Sequence, residues 1–96
     1  DNKMAAQASI ALQATNGFSI TPHDTNTFET STSGAYKFAT LYVGVAGNVS
    51  VLTVDGATLT FVGVPAGTFL PIIVKRVNAT NTTATNIIGL VGRYEG

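Results

Sequence analysis

The run Phe69-Leu70-Pro71-Ile72-Ile73-Val74 constrains this chain more than any other stretch of it. Side chains of a strand alternate between two faces, and here both parities are apolar, which predicts a strand buried on both sides and so central in its sheet. Pro71 opposes that reading locally, because proline has no ladder donor and belongs at an edge, a strand start or a bulge. The regular part of the strand is therefore expected at Ile72 to Val77. A Pro65-Ala66-Gly67 turn precedes the run, and the polar string Asn78 to Thr83 follows it. A second apolar run then begins at Ile87, and two such runs separated by a turn read as paired strands.

The same cadence extends over the rest of the chain. Asn16-Gly17 marks a turn, and Phe18 to Thr21 alternates until Pro22 stops it. Residues 23 to 33 are a Thr, Ser, Asn and Asp tract with Phe28 as its one large apolar side chain, and they read as a surface loop. Alternation resumes from Tyr36 to Val43 and ends at Gly44-Val45-Ala46-Gly47. Val49 to Val54 and Thr58 to Val62 flank Asp55-Gly56, a strong hairpin signal. A last strand is expected from Thr85 to Tyr94. About six short strands with turn signals every eight to twelve residues predict an all-β fold, a small antiparallel β-sandwich or barrel. Its expected core is Phe18, Ile20, Leu41, Val43, Val49, Val51, Leu59, Phe61, Leu70, Ile72, Val74, Ile88 and Leu90.

Residues 1–16 are expected to form a separate unit, an N-terminal arm or short helix, ahead of a β-domain at residues 17–96. Asp1 or Asn2 can cap a helix with Met4, Ala8, Ala11 and Leu12 on one face, but a helix this short is marginal alone. With small side chains and little charge, the segment is expected to gain its order from a neighbouring molecule.

Charged residues make up 10% of the 96 residues, and five basic and five acidic ones cancel. The charges are scattered, so neither a nucleic-acid footprint nor a polybasic membrane patch is present, and no apolar run approaches the roughly twenty residues of a membrane span. The chain is expected to be soluble and to have a permanent protein partner. Without cysteine there is no disulfide framework and no thiolate metal site. The sequons at Asn48, Asn78 and Asn81 are chance matches in a chain rich in Asn and Thr.

The chemistry these residues offer is sparse. His23 beside Asp24 in a Ser/Thr-rich tract allows a triad on paper, yet no nucleophile elbow or oxyanion hole accompanies them. Asp24 is read as capping its own turn and His23 as a loop residue. The carboxylates lack ligand spacing and the glycines form no phosphate loop, so each glycine is read as a turn or bulge residue. No catalytic, cofactor or metal residue is expected, and the chain is not read as an enzyme. Lys75-Arg76 should point to opposite strand faces, either solvated at a strand end or with one of them meeting a neighbouring chain.

Four blocks, Gly17-Phe-Ser-Ile-Thr-Pro-His-Asp-Thr25, Leu41-Tyr-Val-Gly-Val-Ala-Gly-Asn48, Val64-Pro-Ala-Gly-Thr-Phe-Leu-Pro-Ile72 and Val77-Asn-Ala-Thr-Asn-Thr-Thr-Ala-Thr85, resemble the small head-spike-base family of tailed phages and gene transfer agents. The resemblance spans nearly all of residues 17–91. It implies a virion structural protein on the outer surface of the capsid, assembled in the bacterial cytoplasm, which decorates or cements the shell or mounts a fibre. Its implied partners are the major capsid protein, further copies of itself as a pentamer or trimer, and a spike fibre protein. The loop from Asn26 to Ala35 is longer and more polar than the family pattern, which leaves decoration and fibre mounting both open. The residues expected to face the capsid or a sister subunit are Met4, Ile10, Leu12, Phe28, Lys75 and Arg76. The alternative reading is a carbohydrate- or receptor-binding β-module of a fibre or tail, with Tyr36, Tyr42, Tyr94 and Phe28 as the aromatic candidates.

Overall fold

The computed structural model describes residues 14–92. They form six strands and one helical turn: β1 (Asn16–Ser19), α1 (Phe28–Ser31), β2 (Ala39–Val45), β3 (Gly47–Thr53), β4 (Thr58–Val64), β5 (Thr68–Val77) and β6 (Thr85–Val91). The expected all-β architecture is observed, as a single antiparallel sheet in the order β1-β6-β2-β5-β3-β4. The readings made for residues 1–13 and for Tyr94 lie outside the described residues.

β5 is a central strand, as its composition predicts, but its neighbours are β2 and β3. β6 does not pair with β5; it lies between β1 and β2, which corrects the expected pairing of the two apolar runs. Only Ala46 separates β2 from β3, and both run antiparallel to β5, so they form one bent strand. Ala39 at its start and Thr53 at its end both lie opposite Val74, on the two flanks of β5. About 46 Å of extended chain thus leaves Val74 on one side and returns to it on the other, which curls the sheet around a core as a small barrel-like sandwich whose edges, β1 and β4, stay unjoined. Gly47 permits the bend, since a Cβ there would lie 2.5 Å from the backbone nitrogen of Ala84.

Two irregularities in β5 settle what the sequence left in tension. Against β2, Ala39 faces Val74 while Leu41 faces Leu70, so Pro71 lies in a slipped stretch where its missing N–H interrupts nothing regular. Against β3, Leu52 faces Arg76 while Thr53 faces Val74, which makes Lys75 an extra residue. Val74 and Val77 are consequently both buried, and the simple alternation expected of Lys75 and Arg76 is lost.

The core holds Leu41, Val43, Val49, Val51 and Val74 as expected, together with Phe28, Ala39, Val64, Val77, Ala84 and Ile87. Phe18, Ile20, Phe61, Leu70 and Ile72 pack against it half-buried. Leu59 is exposed on the edge strand β4, contrary to expectation. On β6 the inward row is Ile87 and Gly89, with Ile88 and Leu90 only half-buried, so the expected parity is reversed. The reason is Phe18, whose ring would be 2.8 Å from a Cβ at Gly89. Gly89 is therefore a seat for an aromatic ring. Gly17, Gly44 and Gly47 likewise meet neighbouring backbone closely, while Gly34, Gly56, Gly63 and Gly67 adopt positive φ in turns and a bulge.

Candidate functional site

Strand β5 sets up the most prominent surface feature. Its inward residues feed the core, and its outward residues are Phe69, Pro71 and Ile73, with Phe69 64% and Ile73 51% exposed. Thr40 and Tyr42 of β2 and Ile88 and Leu90 of β6 share that outer side, because Tyr42 lies opposite both Phe69 and Ile88 and Thr40 lies opposite Leu90. Tyr42 tilts against Phe69 with ring centroids 5.0 Å apart. Phe38, 46% exposed, joins Ile73, Thr40 and Leu90 around an open depression of about 360 Å³. An antiparallel sheet normally turns a polar face to water, whereas here the solvent side of the three central strands is apolar.

Lys37 lines this depression and pairs with Glu29 at 3.7 Å, the one salt bridge among the described residues, while Lys75, two residues beyond Ile73 on β5, is half-buried and makes no ion pair among them. Arg76 has a different task. Its Nε donates to Asn78 Oδ1 at 2.7 Å and its Nη1 to the Thr25 carbonyl at 3.3 Å, tying the loop after β1 to β5. Asn78 is buried and donates to Ser50 Oγ. Arg76 is thus committed within its own domain.

Phe28 also corrects its expected contact role. It is 4% exposed and packs edge-to-face on Phe18 at 5.2 Å, so its side chain is core. Thr32 holds α1 in place: its hydroxyl donates to the Phe28 carbonyl and accepts the Tyr36 N–H. Tyr36 stacks on Phe18 at 4.8 Å and its hydroxyl accepts from Asn16 Nδ2. Met4, Ile10 and Leu12 lie outside the described residues.

The His23-Asp24 pair does structural work in two directions. His23 Nδ1 accepts the N–H groups of Thr25 and Asn26 at 3.0 and 2.9 Å, so the histidine caps the local turn. Asp24 does not cap its own turn; its carboxylate accepts from the Thr80 N–H and hydroxyl, each at 2.8 Å. Those bonds hold its carboxyl below the usual aspartate range, with the Thr80 N–H the largest influence. Among the described residues no group of three or more His, Asp or Glu side chains is placed to hold a metal ion. The apolar outer face of β5 was encoded in the run Phe69 to Val74, whose two-sided apolarity signals burial without saying by what.

No family model and no curated protein matches the chain. A solved structure does: a chain from the capsid of a native gene transfer agent particle, computed with C5 symmetry, superposes with a TM-score of 0.67. It is 33% identical in sequence, and the match covers 81% of this chain and 83% of that one. With both chains aligned over most of their length at that identity, the chain belongs to the family of this gene transfer agent capsid protein, and its role is that of a virion structural protein.

Proposed function

We propose that the chain binds the outside of a tailed-phage type of capsid, as a decoration or cement subunit or as the base of a head spike, and that the outer face of β6, β2 and β5 is its attachment surface. The observation that supports this is the uncovered apolar strip around Phe69 and Ile73 in a family of capsid-particle proteins. An apolar strip of this size on a three-strand face fits a permanent contact better than free solution. Lys75, two residues along β5 from Ile73 and without an ion pair among the described residues, suits a carboxylate on the major capsid protein.

The test adds the purified chain to shells assembled without it and follows co-sedimentation at low and high ionic strength. Retention at both is expected, because screening acts on charged pairs and this face has almost none. A parallel chain lacking residues 1–15 measures what the N-terminal segment contributes as a second contact. Failure to bind shells, together with capture on a glycan array, would replace this reading with the carbohydrate-binding one.

A further inference from the structure

We propose that copies of this chain join edge to edge, with β4 of one copy adding to β1 of the next, so that the sheet continues from one molecule into another. The sheet is open: β1 is its first strand and β4 its last, and each pairs on one side only among the described residues. An open edge is a row of unpaired N–H and C=O groups, which proteins blunt with charge, proline or a bulge. Neither Asn16-Gly17-Phe18-Ser19 nor Thr58-Leu59-Thr60-Phe61 contains a charge or a proline, and on β1 the outward Gly17 N–H is held by Oδ1 of its neighbour Asn16 at 2.8 Å, a local bond that the join exchanges for one to β4. The bulge of β4 falls at Val62 and Gly63, where Gly47 faces Val64 while Val49 faces Phe61 and Gly63 has φ of 68°. It leaves Thr58 to Phe61 as the straight part, the same length as the 4-residue β1.

Sense and face agree with that join. Each neighbouring pair in the 6-stranded sheet is antiparallel, so β1 and β4 run in opposite senses. A second copy in the same orientation therefore offers its β1 antiparallel to β4. Phe18 and Phe61 both pack against the core, and Leu59 shares the side of Phe61. Full overlap sets Leu59, 41% exposed in the single chain, opposite the partner's Phe18 on the core side. Thr58 then faces the partner's Ser19 on the outer side, polar against polar. Because β4 meets β1 and not another β4, the contact is heterologous, and it closes into a ring when the rotation per copy divides the circle.

The inference concerns the two edges and is independent of the face proposed to meet the shell. The chain has no cysteine, so introduced thiols report without background. Under mild oxidation the double variant Ser19→Cys/Thr58→Cys is expected to give a ladder of covalent oligomers, free or bound to shells, while each single variant gives none. Directly opposed cross-strand Cβ atoms lie about 4.5–5.5 Å apart, a little beyond the ~3.5–4.5 Å of a disulfide, so a small local shift at the strand ends lets the bond form. In native mass spectrometry Thr60→Lys, which puts a charge on the β4 edge, is expected to remove the oligomer peak with the melting temperature unchanged. A dimer from Thr58→Cys alone would establish a two-fold β4 to β4 contact and overturn the proposal. So would a double variant that stays monomeric both free and on shells. Shell binding is read separately by co-sedimentation, so retained binding without cross-links refutes the edge contact and leaves the attachment face standing.

Discussion

Replacing Phe69 with alanine separates attachment from folding more sharply than any other single change. A fully enclosed phenylalanine buries about 200 Å². At 64% exposure, roughly 130 Å² of Phe69 remains for a partner to cover, or about 3 kcal/mol at ~25 cal/mol per Å². That corresponds to a loss of about 150-fold in affinity for the shell. The part already buried, roughly 70 Å² against Tyr42 and the sheet, bounds the folding cost at about 2 kcal/mol, and a compact unfolded state lowers it further. The assay is a pair: titration of the variant onto shells lacking the protein, and its thermal midpoint beside that of Leu41→Ala. Leu41 is 0% exposed, so its truncation should cost about 2 to 5 kcal/mol of stability. A folded Phe69→Ala chain that binds shells as tightly as the parent would show that the outer face of β5 is not where attachment occurs.

Phe28→Ala should behave as a core mutation, costing about 3 to 5 kcal/mol in chemical denaturation, with shell affinity unchanged once the chain is folded. Gly47→Ala forces a Cβ against the Ala84 backbone at the bend between β2 and β3, and a loss on the order of 1 to 3 kcal/mol in thermal unfolding is expected. Asp24 has a lowered folded pKa, so its stabilisation is complete above its unfolded value near 4 and is lost as pH falls through the lower folded value. The melting-temperature difference between the parent chain and Asp24→Ala should therefore be constant at neutral pH and shrink in acid below about pH 4. A pH-independent difference would mean that Thr80 is held by something other than the carboxylate.

Much of this fold is written locally in the sequence. Asp55-Gly56 specifies the β3-β4 hairpin, where the Thr53 N–H reaches the Ala57 carbonyl and Gly56 adopts φ of 92°. Pro71 announces an irregularity in β5, and the register slip against β2 is the form it takes. What local pattern could not carry was pairing between distant segments. Ile87 and Ile88 are chemically equal, and only the contact between Phe18 and Gly89 decides which one faces inward. Likewise Asp24 looks like a residue capping its own turn, until the fold brings Thr80, 56 positions away, within 2.8 Å. The proposed attachment surface was half legible: apolarity on both parities of β5 foretold two covers, and the described residues supply one.

The place of β6 in the sheet governs when this protein can acquire its shape. Among the described residues β1 pairs only with β6, so Asn16 waits for Val91. During synthesis at ~5–20 residues per second, about 4 to 15 s separate the two. The β3-β4 hairpin can form in that interval, but the barrel stays unclosed and the apolar run of β5 lies open to water on both sides. Final closure thus waits until β6 has been synthesised and can pair with both β1 and β2. The β4 edge can arise early with its hairpin, but the β1 edge exists only once β6 is in place, so the proposed edge pairing between copies would wait for that second edge.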